Sequence, residues 1–255
     1  MPGPAGRLDA VVICGGQWHD FDHARLQILA LLAEHESVRT RVFEDYDCVA
    51  AIDRADLLIT YTCNRVAGEE AQDALTRFLD RGGRWLALHG TNSAIVRTDD
   101  GSPTKYVTPR TMGVLPGLLG SQFLGHPPIA PFLVTISAPE HPLVAGVSDF
   151  EANDELYISE LHEPIEVLAY TRYVGESTGF EEGHTVRDEP RPVLYLKHHE
   201  PGTVCYFTLG HCRGRFDVQD LGIADLGRVD RGSWDVPEFR EILHRCIRWA
   251  ATGGF

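Results

Sequence analysis

Apolar residues in the first ninety positions gather in short runs that read as strands: Ala10–Cys14, Val38–Phe43, Asp56–Tyr61 and Arg84–Leu88. Runs of this length without helical spacing predict strands, that of Trp85–Leu88 a buried one. Between them the spacing turns helical. Ala24–Ala33 is apolar almost all round and predicts a well-buried helix. Gly68–Arg81 sets Ala71, Leu75, Phe78 and Leu79 on one face. Strand and helix alternating in this way predict right-handed crossovers and a parallel sheet whose strand tips share one edge.

After Leu88 the rhythm breaks. Arg97–Thr111 is polar and irregular, and Leu118–Pro128, with two glycines and two prolines, reads as a shaped loop. Phe132–Ser137 and Ile165–Thr171 read as strands, and Phe150–Leu161 carries the run Asp154-Glu155-Leu156-Tyr157. Pro192–Lys197 and Thr203–Leu209 flank Glu200-Pro201-Gly202 as a hairpin. Tyr173–Pro192 and Arg213–Trp234 are long polar loops, long enough to act as lids. The last segment predicts a helix: Asp235 and Glu238 have capping-box spacing, Pro237 suits the first turn, and apolar residues recur from Phe239 to Ala250. With no repeat and no linker, residues 1–255 read as one domain.

Charge narrows the partners. The 255 residues carry a net charge of −14 with a pI near 5.2, which excludes the basic surfaces that nucleic acid and anionic membranes require. A small molecule is the partner expected. No apolar run is long enough for a membrane span, and Arg7-Leu8-Asp9 interrupts any signal-peptide pattern. The six cysteines (Cys14, Cys48, Cys63, Cys205, Cys212 and Cys246) show no CxxC spacing. They read as buried thiols of a reducing, cytoplasmic compartment. Cys14, Cys63 and Cys212 end strands, which leaves thiol chemistry as an alternative.

The candidate chemistry lies at the strand tips. Gly82-Gly83 end a helix, Trp85–Leu88 form a strand, His89-Gly90 turn, and Asn92-Ser93 read as the start of the next helix. Open α/β sheets bind ligands at this edge, and many hydrolases put a nucleophile on such a corner. Here the corner carries a histidine. Gly15-Gly16 read as a binding loop rather than a dinucleotide fingerprint, which would need a third glycine. His19 follows that loop and His211 follows the last strand, while His126 lies in the 118–128 stretch.

These residues allow His89 and His211 to act as base and acid, with a carboxylate of Asp154 or Glu155 assisting. On an extended segment those two carboxylates point opposite ways, so at most one enters a given site. Gly15, Gly16, His19, Asn92, Phe123 and His126 are the candidates for binding substrate hydroxyls. His19, His126 and His211 are equally candidates for a divalent metal such as zinc, or for hydrogen bonds to a polar ligand without one. His35, His162, His184, His198, His199 and His244 read as solvated.

In chain order, Gly15-Gly16 with His19-Asp20, Leu88-His89-Gly90, Leu119-Gly120 with Phe123 and Gly125-His126-Pro127, His141-Pro142, Asp154–Tyr157, Leu209-Gly210-His211 and Arg248-Trp249-Ala250 resemble the ThuA-like, trehalose-utilisation family. The resemblance implies a flavodoxin-like α/β fold of the class I glutamine amidotransferase type: a mostly parallel sheet flanked by helices, here with long loop insertions. It also implies sugar metabolism beside dehydrogenases that make keto-sugars. Glutamine hydrolysis is not expected. His89 occupies the place of those enzymes' nucleophilic cysteine, and Arg213 stands where an acid would follow the catalytic histidine. The expectation is therefore an enzyme acting on a sugar or keto-sugar by isomerisation, elimination or glycosidic cleavage. The alternatives are a non-catalytic sugar-binding or regulatory protein and a Cys-dependent hydrolase. A homo-oligomer is the default for an enzyme of this size.

Overall fold

The computed structural model describes residues 6–98, 105–177 and 179–254. In chain order the strands are β1 (Leu8–Gly16), β2 (Val38–Phe43), β3 (Leu57–Cys63), β4 (Arg84–Leu88), β5 (Val96–Arg97), β6 (Tyr106–Val107), β7 (Ser121–Gly125), β8 (Ala130–Ile136), β9 (Phe150–Asp154), β10 (Ile158–Leu161), β11 (Glu166–Arg172), β12 (Pro190–His198) and β13 (Thr203–Phe207). The helices are α1 (Phe21–Leu32), α2 (Val49–Ile52), α3 (Glu69–Asp80), α4 (Leu115–Leu119) and α5 (Pro237–Thr252).

The main sheet has the order β2-β1-β3-β4-β13-β12-β11-β8-β9. Its first five strands are parallel to one another, and β12, β11, β8 and β9 extend it antiparallel. The pleat divides the core into two layers. Ala10, Val12 and Cys14 of β1 join the cluster of α1 and α5, while Val11 and Ile13 join that of α2, α3 and α4. A sheet covered on both faces needs the apolar runs seen in its strands. All seven residues of β3 are buried.

The insertion of β13 between β4 and β12 matters most for function. It pairs Phe207 with Leu88, so the residues that follow, Thr208 and His89, meet side by side. Tyr61 of β3 pairs with Leu88, and Cys14 of β1 with Tyr61. The tips of β1, β3, β4 and β13 thus form one contiguous edge.

Several expected elements differ. The first helix begins at Phe21, because the Asp20 carboxylate accepts the His23 N–H and caps it. Only Ala24, Ile28 and Leu32 of that helix are buried, and Leu26 is 64 % exposed, so one stripe rather than the whole surface packs. The corner after β4 is a single 3₁₀ turn, His89–Asn92, followed by extended Ser93, not the start of a helix. The 118–128 stretch is not all loop. Gly120, at φ 88°, ends α4 and releases the chain into β7, which pairs with β10. At α5 the capping box does not form: Val236 holds the cap position, and the Asp235 carboxylate instead accepts from Arg240. All six cysteines are free and buried. Among the described residues no helix is long and apolar enough to cross a membrane.

Candidate active site

The shared edge concentrates unusual backbone. Trp18 (φ 69°), Asn64 (φ 54°) and His89 (φ 46°) all adopt left-handed conformations rare for side-chain-bearing residues. Each costs on the order of 1–3 kcal/mol unless its surroundings hold it. His89 is held at both ends. Its carbonyl accepts the Tyr206 hydroxyl at 2.6 Å, and its Nδ1 lies 2.9 Å from the Thr208 carbonyl.

The side chains raised on this backbone form a buried polar cluster: His19, His89, Glu155 and His211. His19 Nδ1 is 2.9 Å from the Gln17 carbonyl. A carbonyl oxygen only accepts, so Nδ1 carries the hydrogen in both His19 and His89. Their Nε2 atoms then face each other at 2.9 Å. Glu155 reaches all of its neighbours: 3.5 Å to His89 Nε2, 3.9 Å to His19 Nε2, 3.1 Å to His211 Nδ1, and 3.6 Å to both His126 Nε2 and Arg213 Nη2. Burial works against the Glu155 carboxylate, but His126 and His211 outweigh it and hold its pKa well below the ordinary value. Burial and the neighbouring His89 keep His19 well below the usual histidine range. Burial also opposes charge on His89, yet Glu155 and Asp154 raise its pKa overall.

Asp154 plays a different part. Its carboxylate accepts from the backbone N–H groups of Gly210, His211, Ser233 and Glu155, at 2.8–3.3 Å. It fixes the loop that presents His211 and faces away from Glu155, as the alternation of an extended segment requires.

Above the cluster opens a cavity of about 210 Å³. Trp18, Tyr106, Phe123 and Phe180 wall it, while His19, Glu155, Tyr157, Arg213 and His126 supply polar groups. Phe123 packs against Tyr157 at 4.7 Å and Phe180 at 5.4 Å between ring centroids. Phe180 belongs to the 173–190 loop, which Arg110 anchors through paired bonds from its guanidinium to Glu182 and Glu160. The 213–234 loop contributes Leu221, and its Asp220 accepts the Trp18 indole N–H at 2.9 Å. Both long loops therefore border the cavity.

A family model described as ThuA, trehalose utilisation, matches residues 9–222. The chain belongs to the ThuA family. That membership suggests a role in sugar metabolism. A ThuA-like protein from Bacteroides uniformis aligns with 100 % of this chain and 96 % of its own at 16 % identity, with a TM-score of 0.65. One from Parabacteroides merdae covers 97 % and 91 % at 15 % identity and a TM-score of 0.61. At these identities the likeness is one of fold. No curated protein matches the chain.

The fold of this ThuA member brings together most of the residues that the sequence singles out, in altered parts. His19, His89, Glu155 and His211 converge. Phe123 and His126 line the cavity, with His126 donating through Nδ1 to the Pro127 carbonyl at 2.7 Å, which turns Nε2 toward Glu155 at 3.6 Å. Asp154 lies behind the cluster as a backbone anchor, not an acid–base group. Asn92 does not reach the cavity: its amide donates to Ser121 Oγ at 2.7 Å, and its N–H to the Tyr206 hydroxyl. Gly15 and Gly16 border an adjoining open groove, where a Cβ would fall 2.3 Å from the Glu44 carbonyl and 2.0 Å from that of Cys63. Their role is close backbone packing. Tyr157 and Arg213 line the cavity as well, which residue type alone does not reveal. Tyr157 carries one readable signal, since it lies two positions after Glu155 and shares its face.

Thiol chemistry has no support here. Cys63 borders the cavity, but burial raises its thiol, and those of Cys14 and Cys212, to about 12. A thiol so protonated at neutral pH is inert. Iodoacetamide treatment of the native protein is expected to leave all six cysteines unmodified by mass spectrometry. Rapid alkylation of Cys63 would restore the hydrolase alternative.

Proposed function

We propose that this protein is an enzyme acting on a sugar or keto-sugar, with proton abstraction beside a carbonyl as its central step. The observation that carries the reading is a buried charged cluster at the floor of a cavity walled by aromatic rings. Aromatic faces pack against the C–H faces of sugars, and a cavity of about 210 Å³ is smaller than the roughly 300–1,000 Å³ pockets of drug-sized ligands, so it suits one ring.

His126 Nε2 takes the proton from the carbon next to the carbonyl. The electron pair of that C–H bond moves onto the carbonyl oxygen, which the Arg213 guanidinium and the Tyr157 hydroxyl stabilise. Burial and Glu155 hold the Tyr157 phenol well above its ordinary pKa, so it stays a donor. Returning the proton to the former carbonyl carbon, while the proton of the neighbouring hydroxyl passes to the former carbonyl oxygen, gives isomerisation. Collapse of the enolate with departure of a substituent one carbon further, which takes the proton held by His126, gives elimination, and addition of water to that product completes glycosidic cleavage. His89 and His211, expected from the sequence as base and acid, hold the floor in this reading. The free buried thiols fit a reducing cytoplasm.

The test is deuterium exchange at the α-carbon of 3-keto derivatives of glucose and trehalose in D₂O, followed by NMR. Wild-type protein is expected to wash out the α-proton, and His126→Gln to slow this by about 10²–10⁴-fold, the usual worth of a general base. Unchanged exchange in the variant would remove His126 from the role. Keto-sugars that raise the melting temperature without any exchange would favour a binding protein.

A further inference from the structure

The arrangement of the two facing imidazoles asks for a positive charge between them. His19 and His89 both turn Nδ1 to a backbone carbonyl and Nε2 toward one another at 2.9 Å, with the Tyr157 hydroxyl 3.3 Å from the His89 Nε2. With both rings neutral, two lone pairs would face each other and repel, so a cation, either a proton or a metal ion, belongs between them. His211 adds a second signal. It is wholly buried, its ring nitrogens have no hydrogen-bond partner, and its Nδ1 lies 3.1 Å from Glu155 Oε1. The other Glu155 oxygen lies 3.5 and 3.9 Å from the two facing nitrogens. One donor atom from each of the four residues falls within 4.8 Å of every other.

A tetrahedral ion with bonds of about 2.0–2.1 Å holds its ligands roughly 3.3 Å apart, and the separations here bracket that value. We propose that His19, His89, Glu155 and His211 bind a divalent first-row transition metal, zinc foremost. Three imidazoles and one carboxylate match the ligand preference of such ions, whereas calcium and magnesium favour all-oxygen sites. Nδ1–H groups tied to backbone carbonyls are the usual means of orienting metal-binding imidazoles. His126 stays outside the set, because its Nε2 faces Glu155 from the cavity wall. The ion would meet the cavity between His19 and Glu155, the two ligands that line it, and would act there as a Lewis acid on a sugar oxygen.

The site shares its cavity with the sugar reading but is tested without substrate. Protein as isolated is analysed for metals, stripped with a chelator, and titrated with Zn²⁺ and Co²⁺ by calorimetry and visible spectroscopy. One equivalent is expected, with the intense Co²⁺ bands of a four- or five-coordinate site. The melting temperature should rise by about 5–10 °C at a hundredfold excess over Kd. His211→Ala and Glu155→Gln should each weaken binding at least about 100-fold, and His126→Gln should leave it unchanged. Should either variant misfold, His19→Gln, in the turn between β1 and α1, gives the same comparison. Absence of saturable binding, a weak six-coordinate Co²⁺ spectrum, or affinity unaffected by His19→Gln would overturn the site. Stripped protein that takes up no ion yet exchanges keto-sugar protons would also overturn it while sparing the sugar reading. Tight uptake without any exchange would support the site and remove that reading.

Discussion

Asp154→Ala is expected to be the most destabilising change to the site, lowering stability by about 3–5 kcal/mol. The carboxylate is 1 % exposed and accepts four backbone N–H groups from three separate segments: Glu155 on its own strand end, Gly210 and His211 after β13, and Ser233 before α5. Removing it strands those donors in a place water does not reach. Each buried unsatisfied donor costs about 1–3 kcal/mol, with partial relaxation keeping the total below the sum. For a chain of this size the melting temperature should fall by roughly 6–20 °C. Asp154→Asn should recover only part of the loss, because its amide nitrogen cannot accept. Chemical denaturation would read both values. A loss under about 1 kcal/mol in the alanine variant would mean the carboxylate is not the clasp its bonds describe.

Glu155→Gln is expected to do the opposite, sparing the fold and removing activity. Its side chain lies within 3.1–3.9 Å of His211, His89, His126, Arg213 and His19. The amide keeps the volume but not the charge that orients this set. Turnover should fall by about 10²–10³-fold, the scale seen when a preorganised electrostatic contact is removed. The stability cost should stay near 1–3 kcal/mol, below that of Asp154→Ala. Keto-sugar exchange and thermal denaturation on the same preparation separate the two effects. Activity within a few-fold of wild type would place the reaction away from this floor. Two neighbouring carboxylates thus make opposite predictions, because consecutive residues of an extended segment face opposite sides.

That opposition was readable from the sequence, whereas which carboxylate entered the site was not. The choice depends on how β9 lies against β8 and on the loop after β13, the latter a contact between segments more than fifty residues apart. The inner parallel strands were legible for a simpler reason, since strands buried on both faces must be apolar along their length, whereas β2, at the sheet edge, has no buried residue. The antiparallel extension was less so. The short strand β7 hides between Gly120 and Gly125, and its partner β10 lies more than thirty residues downstream. His19, His89 and His211 could be gathered to one edge because each follows a strand. Asn92 obeyed the same rule and still missed the cavity, because the corner closes as a single 3₁₀ turn and directs its amide to Ser121. Residue type and strand position identify candidates for a site. The turn after each strand decides which of them face it.

The placement of β13 has a consequence for how the protein comes to work at all. His19 and His211, which meet in the floor, lie on loops after the first and last strands, in chain order, of the parallel half of the sheet. Their meeting waits on a strand that slots into the middle of the sheet after β1 to β12 have been synthesised. Late, long-range pairing of this kind is slow and costs loop-closure entropy before it is rewarded. No amino-terminal fragment ending before β13 can assemble the floor, however well its first four strands associate. Recovery of ligand binding during refolding should therefore track completion of the whole sheet, making the site a reporter of the last step of folding rather than of any local one.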